Sequence, residues 1–207
     1  MSGFNTEDIM QKEDIYYISE REIQRRVVEM ARELSSDYSE EVPVLITLLK
    51  GAFIFLADLV RGISIPHEID FIAMSSYRDG EHRSENIEIN NLTSRDIRGR
   101  DIVIVDEIID TGHTIASLID SLNREEVNSI NICTLLNKES AREVDIPTDY
   151  VGFSIPDVFV IGYGLDFREH FRNLPFIREL TPNIRDLEDA CETLSMIEKE
   201  LEKELYI

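Results

Sequence analysis

The sequence predicts an α/β domain with a central, mostly parallel sheet flanked by helices. Three observations predict it. Strand-length apolar runs recur at residues 42–49, 102–105 and 130–136, continuous as in strands covered on both faces. Helix-length segments follow two of them, at residues 52–60 and 114–123, and such alternation implies parallel strands joined by crossovers. The 207 residues suffice for one domain of this kind with an appendage.

The elements follow in order. Ser19 and Glu22 have the spacing of a capping box, which opens a helix running to about Leu34 with Ile23, Val27, Met30 and Leu34 on one face. Residues 42–49 form the first buried strand, Lys50-Gly51 ends it, and residues 52–60 form a helix. Residues 67–75 alternate as a second strand. Residues 78–85 are polar and carry Gly80, the composition of a mobile loop or hairpin tip. In the second half, residues 101–105 form a strand, 114–123 a helix and 130–136 a strand, with shorter strands at 150–153 and 158–161. Composition shifts near Pro182, where Leu187, Leu194, Ile197 and Leu201 recur at helical spacing among Glu and Lys. The chain therefore divides into a main domain, residues 1–180, and an amphipathic helical extension, residues 181–207.

Charge narrows the function. With 42 acidic against 21 basic residues the formal net charge is -21, and such a chain repels a phosphate backbone, which argues against nucleic acid as a partner. Any phosphate site must gather its few cations locally. Dense surface carboxylates suit a high-salt cytoplasm, though an ordinary acidic surface is the plainer reading. The only two cysteines, Cys133 and Cys191, stand far apart and are expected as buried thiols of a reducing compartment. His67, His82, His113 and His170 show no metal-ligand spacing. No stretch approaches the roughly 18 apolar residues of a membrane span, and the start is neither basic nor apolar, so a cytoplasmic protein is expected.

The segment that carries chemistry is Val103-Ile104-Val105-Asp106-Glu107-Ile108-Ile109-Asp110-Thr111-Gly112-His113-Thr114. It joins a buried strand to a helix and is expected to place three carboxylates in the connecting turn. Thr111, Gly112, His113 and Thr114 would offer free amides at a helix start, an anion site. Asp106 and Glu107 suit a ribose diol or hydrated magnesium. A phosphate cradle beside a diol-and-metal pair implies a phosphorylated sugar. The plainer reading has Asp110 as a helix cap and the other two acids as solvated turn residues.

This segment resembles the phosphoribosyl-pyrophosphate motif of type I phosphoribosyltransferases. Residues 14–180 resemble the hypoxanthine-guanine branch of that family, through Leu48-Leu49-Lys50-Gly51-Ala52, Ser75-Ser76-Tyr77, Val151-Gly152-Phe153-Ser154-Ile155-Pro156-Asp157, Gly162-Tyr163-Gly164-Leu165-Asp166 and Phe171-Arg172-Asn173-Leu174-Pro175. The resemblance implies the type I phosphoribosyltransferase fold with a small hood. It also implies magnesium-dependent purine salvage: transfer of phosphoribosyl from phosphoribosyl pyrophosphate to hypoxanthine or guanine, giving IMP or GMP plus pyrophosphate, by a homodimer or homotetramer.

Residue by residue, the resemblance implies that Thr111, Gly112, His113 and Thr114 bind the 5-phosphate, and that Asp106 and Glu107 hold the ribose hydroxyls directly or through Mg2+. Lys50 and Gly51 form the pyrophosphate loop, with a cis Leu49–Lys50 peptide, and Arg172 clamps pyrophosphate. Asp166 assists a second magnesium through water. Lys138 donates to the purine 6-oxygen, Phe159 stacks on the ring, and the backbone near Val160 and Asp166 accepts from guanine's amino group. Asp110 is the general base at N7, and Ser76 and Tyr77 belong to a lid loop. Taken alone, Phe159 reads as core and Arg172 as a surface charge. One departure stands out: the branch usually carries Glu then Asp where this chain has Asp106 then Glu107. Two other readings compete: a regulator of this fold that senses phosphoribosyl pyrophosphate, which would want a basic surface, and a xanthine-preferring enzyme.

Overall fold

The computed structural model describes residues 16–73 and 96–180. The lid residues Ser76 and Tyr77, the polar loop at 78–85 and the helical extension at 181–207 lie outside the described residues.

Five strands form one parallel sheet: β2 (Val44–Leu49), β3 (Glu68–Ala73), β4 (Asp101–Ile109), β5 (Ser129–Asn137) and β6 (Tyr150–Ser154), in the order β3-β2-β4-β5-β6. Their apolar side chains alternate between two helical layers. Leu45, Val103, Val105, Cys133 and Leu135 pack against α1 (Glu20–Asp37) and α2 (Phe53–Gly62), while Val44, Ile46, Ile102, Ile104 and Ile132 pack against α3 (His113–Arg124). Burial on both faces explains the unbroken apolar runs in the sequence.

The capping box at the start of α1 is present, with the Glu22 amide donating to Ser19 Oγ and the Ser19 amide to Glu22 Oε2. Ile23, Val27, Met30 and Leu34 are its buried face, as their spacing predicts. The helix continues to Asp37, one turn beyond the expected end.

Short segments build a second sheet that periodicity did not reveal. β1 (Tyr17–Ile18), β8 (Ile177–Glu179) and β7 (Val160–Ile161) pair antiparallel in that order, forming the small hood over a cluster of Ile161, Leu174, Phe176 and Leu180. The apolar residues 158–161 were expected only as a short strand; β7 belongs to this sheet. Strands of two or three residues are too short to carry a detectable period.

Among the described residues no helix is long and apolar enough to cross a membrane. Cys133 is fully buried, and burial pushes its thiol pKa up.

Candidate active site

The strand order reverses between β2 and β4, and in open parallel sheets ligands bind outside the carboxyl ends of strands at such a switch point. A cleft of about 260 Å³ opens there. Its walls are Leu48 to Gly51 at the end of β2, Asp106 to Ile109 at the end of β4, Asp110 to Gly112 in the following turn, and Thr114 and Ile115 of α3. The Leu49–Lys50 peptide is cis, as the resemblance implies.

The turn into α3 presents backbone to the cleft. Gly112 is the N-cap residue, in a left-handed conformation with φ 92°, and contributes no side-chain cap. A Cβ there would press on Arg142 Cδ and the Val144 carbonyl, so conformation and space both demand glycine. The loop is held from behind, where the Glu143 and Val144 amides donate to the Thr111 carbonyl at 2.9 and 3.2 Å. First-turn amides have no intrahelical acceptor, and Thr111, Gly112 and Thr114 lie in the cleft wall. The His113 side chain turns outward to Glu143, with Nε2 at 3.0 Å from Oε2, so only its backbone belongs to the turn.

The acids are placed differently from the expectation of three carboxylates in one turn. β4 runs on to Ile109 because its ladder with β5 continues through Asp106, Ile108 and Ile109. Asp106 and Glu107 are therefore strand residues. Neighbours on a regular strand point to opposite faces, yet both line the cleft. Alternation is interrupted here: Val105 faces the α1–α2 layer, whereas Ile109, four residues on, faces α3.

Burial pushes the Asp106 carboxyl well above the usual range, and the Glu107 charge beside it adds to this. Glu107 is raised too, chiefly by burial, against hydrogen bonds from its surroundings and the attraction of Arg172. Two adjacent acids, Asp106 buried and Glu107 half-buried, both of raised pKa, form an oxygen-only site that a cation would stabilise. Asp166 does not complete it. Among the described residues no three such side chains converge on one point, and the Asp166 carboxylate accepts from Arg172 Nη2 at 2.9 Å and from the Glu169 amide at 2.7 Å.

Beside Gly51, the cations Lys50 and Arg172 share an anion that sequence reasoning missed. Glu169 Oε2 lies 2.9 Å from Lys50 Nζ and 3.6 Å from Arg172 Nη2. Arg172 also donates to the Gly164 carbonyl at 2.7 Å, and its buried Nε lacks a hydrogen-bond partner. It is an organised cation with a side chain only 20% exposed, which corrects the surface-charge reading. Glu169 sits in a turn where Arg168, Glu169 and Phe171 all have positive φ; no local pattern in the sequence marks that turn.

On the far side of Asp110, the buried Lys138 closes β5 with its ammonium 3.3 Å from Asp110 Oδ2 and 3.2 Å from Asp157 Oδ1. Asp110 is thus paired with a lysine and caps no helix, since the N-cap of α3 is Gly112 and no side chain caps it. Asp157 stands in the Val151–Asp157 motif, and only the fold brings it to Lys138. Phe159 is 53% exposed and meets Phe167 edge-on at 6.2 Å; it is a free aromatic face, not core. Val160 is buried in β7 opposite Glu179. Lys138, Phe159, Val160, Asp166 and Arg172 lie outside the cleft walls. Lys138 is joined to the cleft through Asp110, and Arg172 through the charge of Glu107.

The model of the phosphoribosyl transferase domain family matches residues 17–168. A hypoxanthine phosphoribosyltransferase of Salmonella typhimurium is 44% identical over 162 residues, 77% of this chain and 91% of that one. A hypoxanthine-guanine phosphoribosyltransferase of Bacillus subtilis is 44% identical over 177 residues, 84% of this chain and 98% of that one. The crystal structure of a hypoxanthine phosphoribosyltransferase from Staphylococcus aureus superposes with a TM-score of 0.77 at 36% identity, covering 89% of this chain and 100% of that chain.

Proposed function

The chain belongs to the phosphoribosyl transferase domain family, and from that membership we propose that it salvages purines, transferring phosphoribosyl from phosphoribosyl pyrophosphate to hypoxanthine or guanine and giving IMP or GMP plus pyrophosphate. One observation carries the reading: at the switch point of the sheet, a cleft wall of helix-start residues faces the buried Asp106 and the half-buried Glu107, with Asp110 between them and a buried lysine.

In the reaction, the bond from the anomeric carbon to pyrophosphate breaks as purine N9 bonds to that carbon, and positive charge builds on the ribose ring. The Thr111 to Thr114 turn would hold the 5-phosphate through amides and hydroxyls. Lys50, the Gly51 backbone and Arg172 would meet the departing pyrophosphate, taking over the anion position that Glu169 fills. Asp110 would accept the N7 proton. Lys138 would donate to the 6-oxygen, and Phe159 would cover the ring.

Asp106 and Glu107 suit Mg2+, since both are oxygen donors whose burial leaves negative charge to be neutralised. They would hold it together with the ribose hydroxyls, and Asp166 would reach a second ion only through water. The metal, when bound, neutralises charge on pyrophosphate. Assembly as a homodimer or homotetramer follows by the same family resemblance.

The test supplies the purified full chain with Mg2+, phosphoribosyl pyrophosphate and each of hypoxanthine, guanine, xanthine and adenine. Conversion of hypoxanthine or guanine is expected. Conversion of adenine alone would overturn the role given to Lys138, preference for xanthine would revise the substrate, and no conversion at any salt would favour a sensor of phosphoribosyl pyrophosphate.

A further inference from the structure

Of the two carboxylates on Lys138, Asp110 takes the proton under the proposed function, and Asp157 has no task. We propose that Asp157 is the positioning residue of the base-recognition lysine, keeping the Lys138 ammonium paired and aimed at the purine 6-oxygen while Asp110 turns from it to the N7 proton. This rests on the oxopurine reading.

An ammonium has three hydrogens. Asp110 and Asp157 lie within reach of two of them, at 3.3 and 3.2 Å, which leaves one for an incoming oxygen. The Lys138 side chain is only 7% exposed, and a cation so poorly hydrated needs an anion beside it. Were Asp110 its only anion, moving that carboxylate onto N7 would strand the ammonium, and the ion pair would hold the base back. With Asp157 in place, Lys138 keeps a carboxylate throughout the exchange.

The Asp157 side chain is 61% exposed, so packing does not hold it; its loop does. The Ile155 amide donates to the carbonyl of Asn137, the residue before Lys138, at 2.9 Å, and the Ile155 side chain is buried in the core. Pro156 restricts the next φ, and the Val158 amide returns to the Pro156 carbonyl at 2.9 Å. The backbone thereby sets the separation of Asp157 from Lys138.

The experiment compares the full-length wild type with Asp157→Asn and Asp157→Glu. It measures steady-state kinetics with hypoxanthine, and calorimetric binding of IMP and of the nucleotide of unsubstituted purine, which lacks the 6-oxygen. For Asp157→Asn we expect KM for hypoxanthine to rise and IMP affinity to fall about tenfold, with lower kcat. KM for phosphoribosyl pyrophosphate, affinity for the unsubstituted nucleotide and melting temperature should hold, and Asp157→Glu should recover part of the loss. Equal losses on both nucleotides, or none on either, would overturn the inference while wild-type conversion of hypoxanthine left the function standing. A wild type that converts no 6-oxopurine would overturn the function, and this inference with it.

Discussion

The Glu107 carboxylate occupies the space that a Cβ on Gly51 would need. The loop that follows β2 and the acid near the end of β4 are thus fitted to each other across the cleft. The fit gives Gly51 a reason beyond chain flexibility: a bare backbone there lets the acid lie against the loop.

Gly51→Ala should displace Glu107 and leave the fold intact. Overpacking of this kind costs about 1–3 kcal/mol, and misplacing a group by about 1 Å can cost about a hundredfold in rate. Steady-state assays should show kcat/KM for phosphoribosyl pyrophosphate falling by about that factor, with circular dichroism unchanged. Wild-type kinetics would mean that the position of Glu107 is immaterial.

Asp110→Asn removes the proton acceptor and one of the two carboxylates on Lys138. General-base loss costs about 10²–10⁴-fold in kcat, and KM for phosphoribosyl pyrophosphate should change little. Near-normal turnover would refute the base assignment.

Glu169→Gln frees Lys50 and Arg172 from an internal anion. The Lys50 and Glu169 side chains are 68% and 64% exposed, so water and salt weaken the pair. Inhibition by inorganic pyrophosphate should tighten about two- to fivefold at low salt, and the gap from wild type should close at high salt. Weaker inhibition would show that Glu169 supports pyrophosphate binding.

Tyr38, Tyr150 and Tyr163 should govern alkaline stability. Burial raises all three, with added repulsion from Asp101 and Asp149 at Tyr38, and with hydrogen bonds to Asp37 and Asp58 at Tyr150 and Tyr163. Tyr38 is raised from 10.0 to about 12. Because the folded values exceed the unfolded ones, this stability is whole below pH 10 and is lost as pH rises through the folded values. Urea midpoints should fall across that window while tyrosinate absorbance appears. Midpoints independent of pH there would contradict it.

What the sequence determined by itself are properties carried by neighbouring residues. Continuous apolar runs announced strands buried on both faces, Ser19 and Glu22 announced a capped helix, and Asp110 to Thr114 announced the turn at the cleft. Each depends on hydrophobic period, backbone freedom or capping chemistry within a few residues, so it survives without knowledge of the fold.

Tertiary structure alone decided the partners. Asp157 meets Lys138 across 19 residues of chain and Glu169 meets Lys50 across 119, while β1 finds β8 from the opposite end of the described chain. The extension of β4 through Asp106 and Glu107 likewise depends on β5 beside it. Electrostatic pairing and ladder hydrogen bonds depend on distance in space, which is set only once hydrophobic burial has closed the sheet between its helices. No local pattern encodes such distances, so the chemistry of the turn was legible and the company it keeps was not.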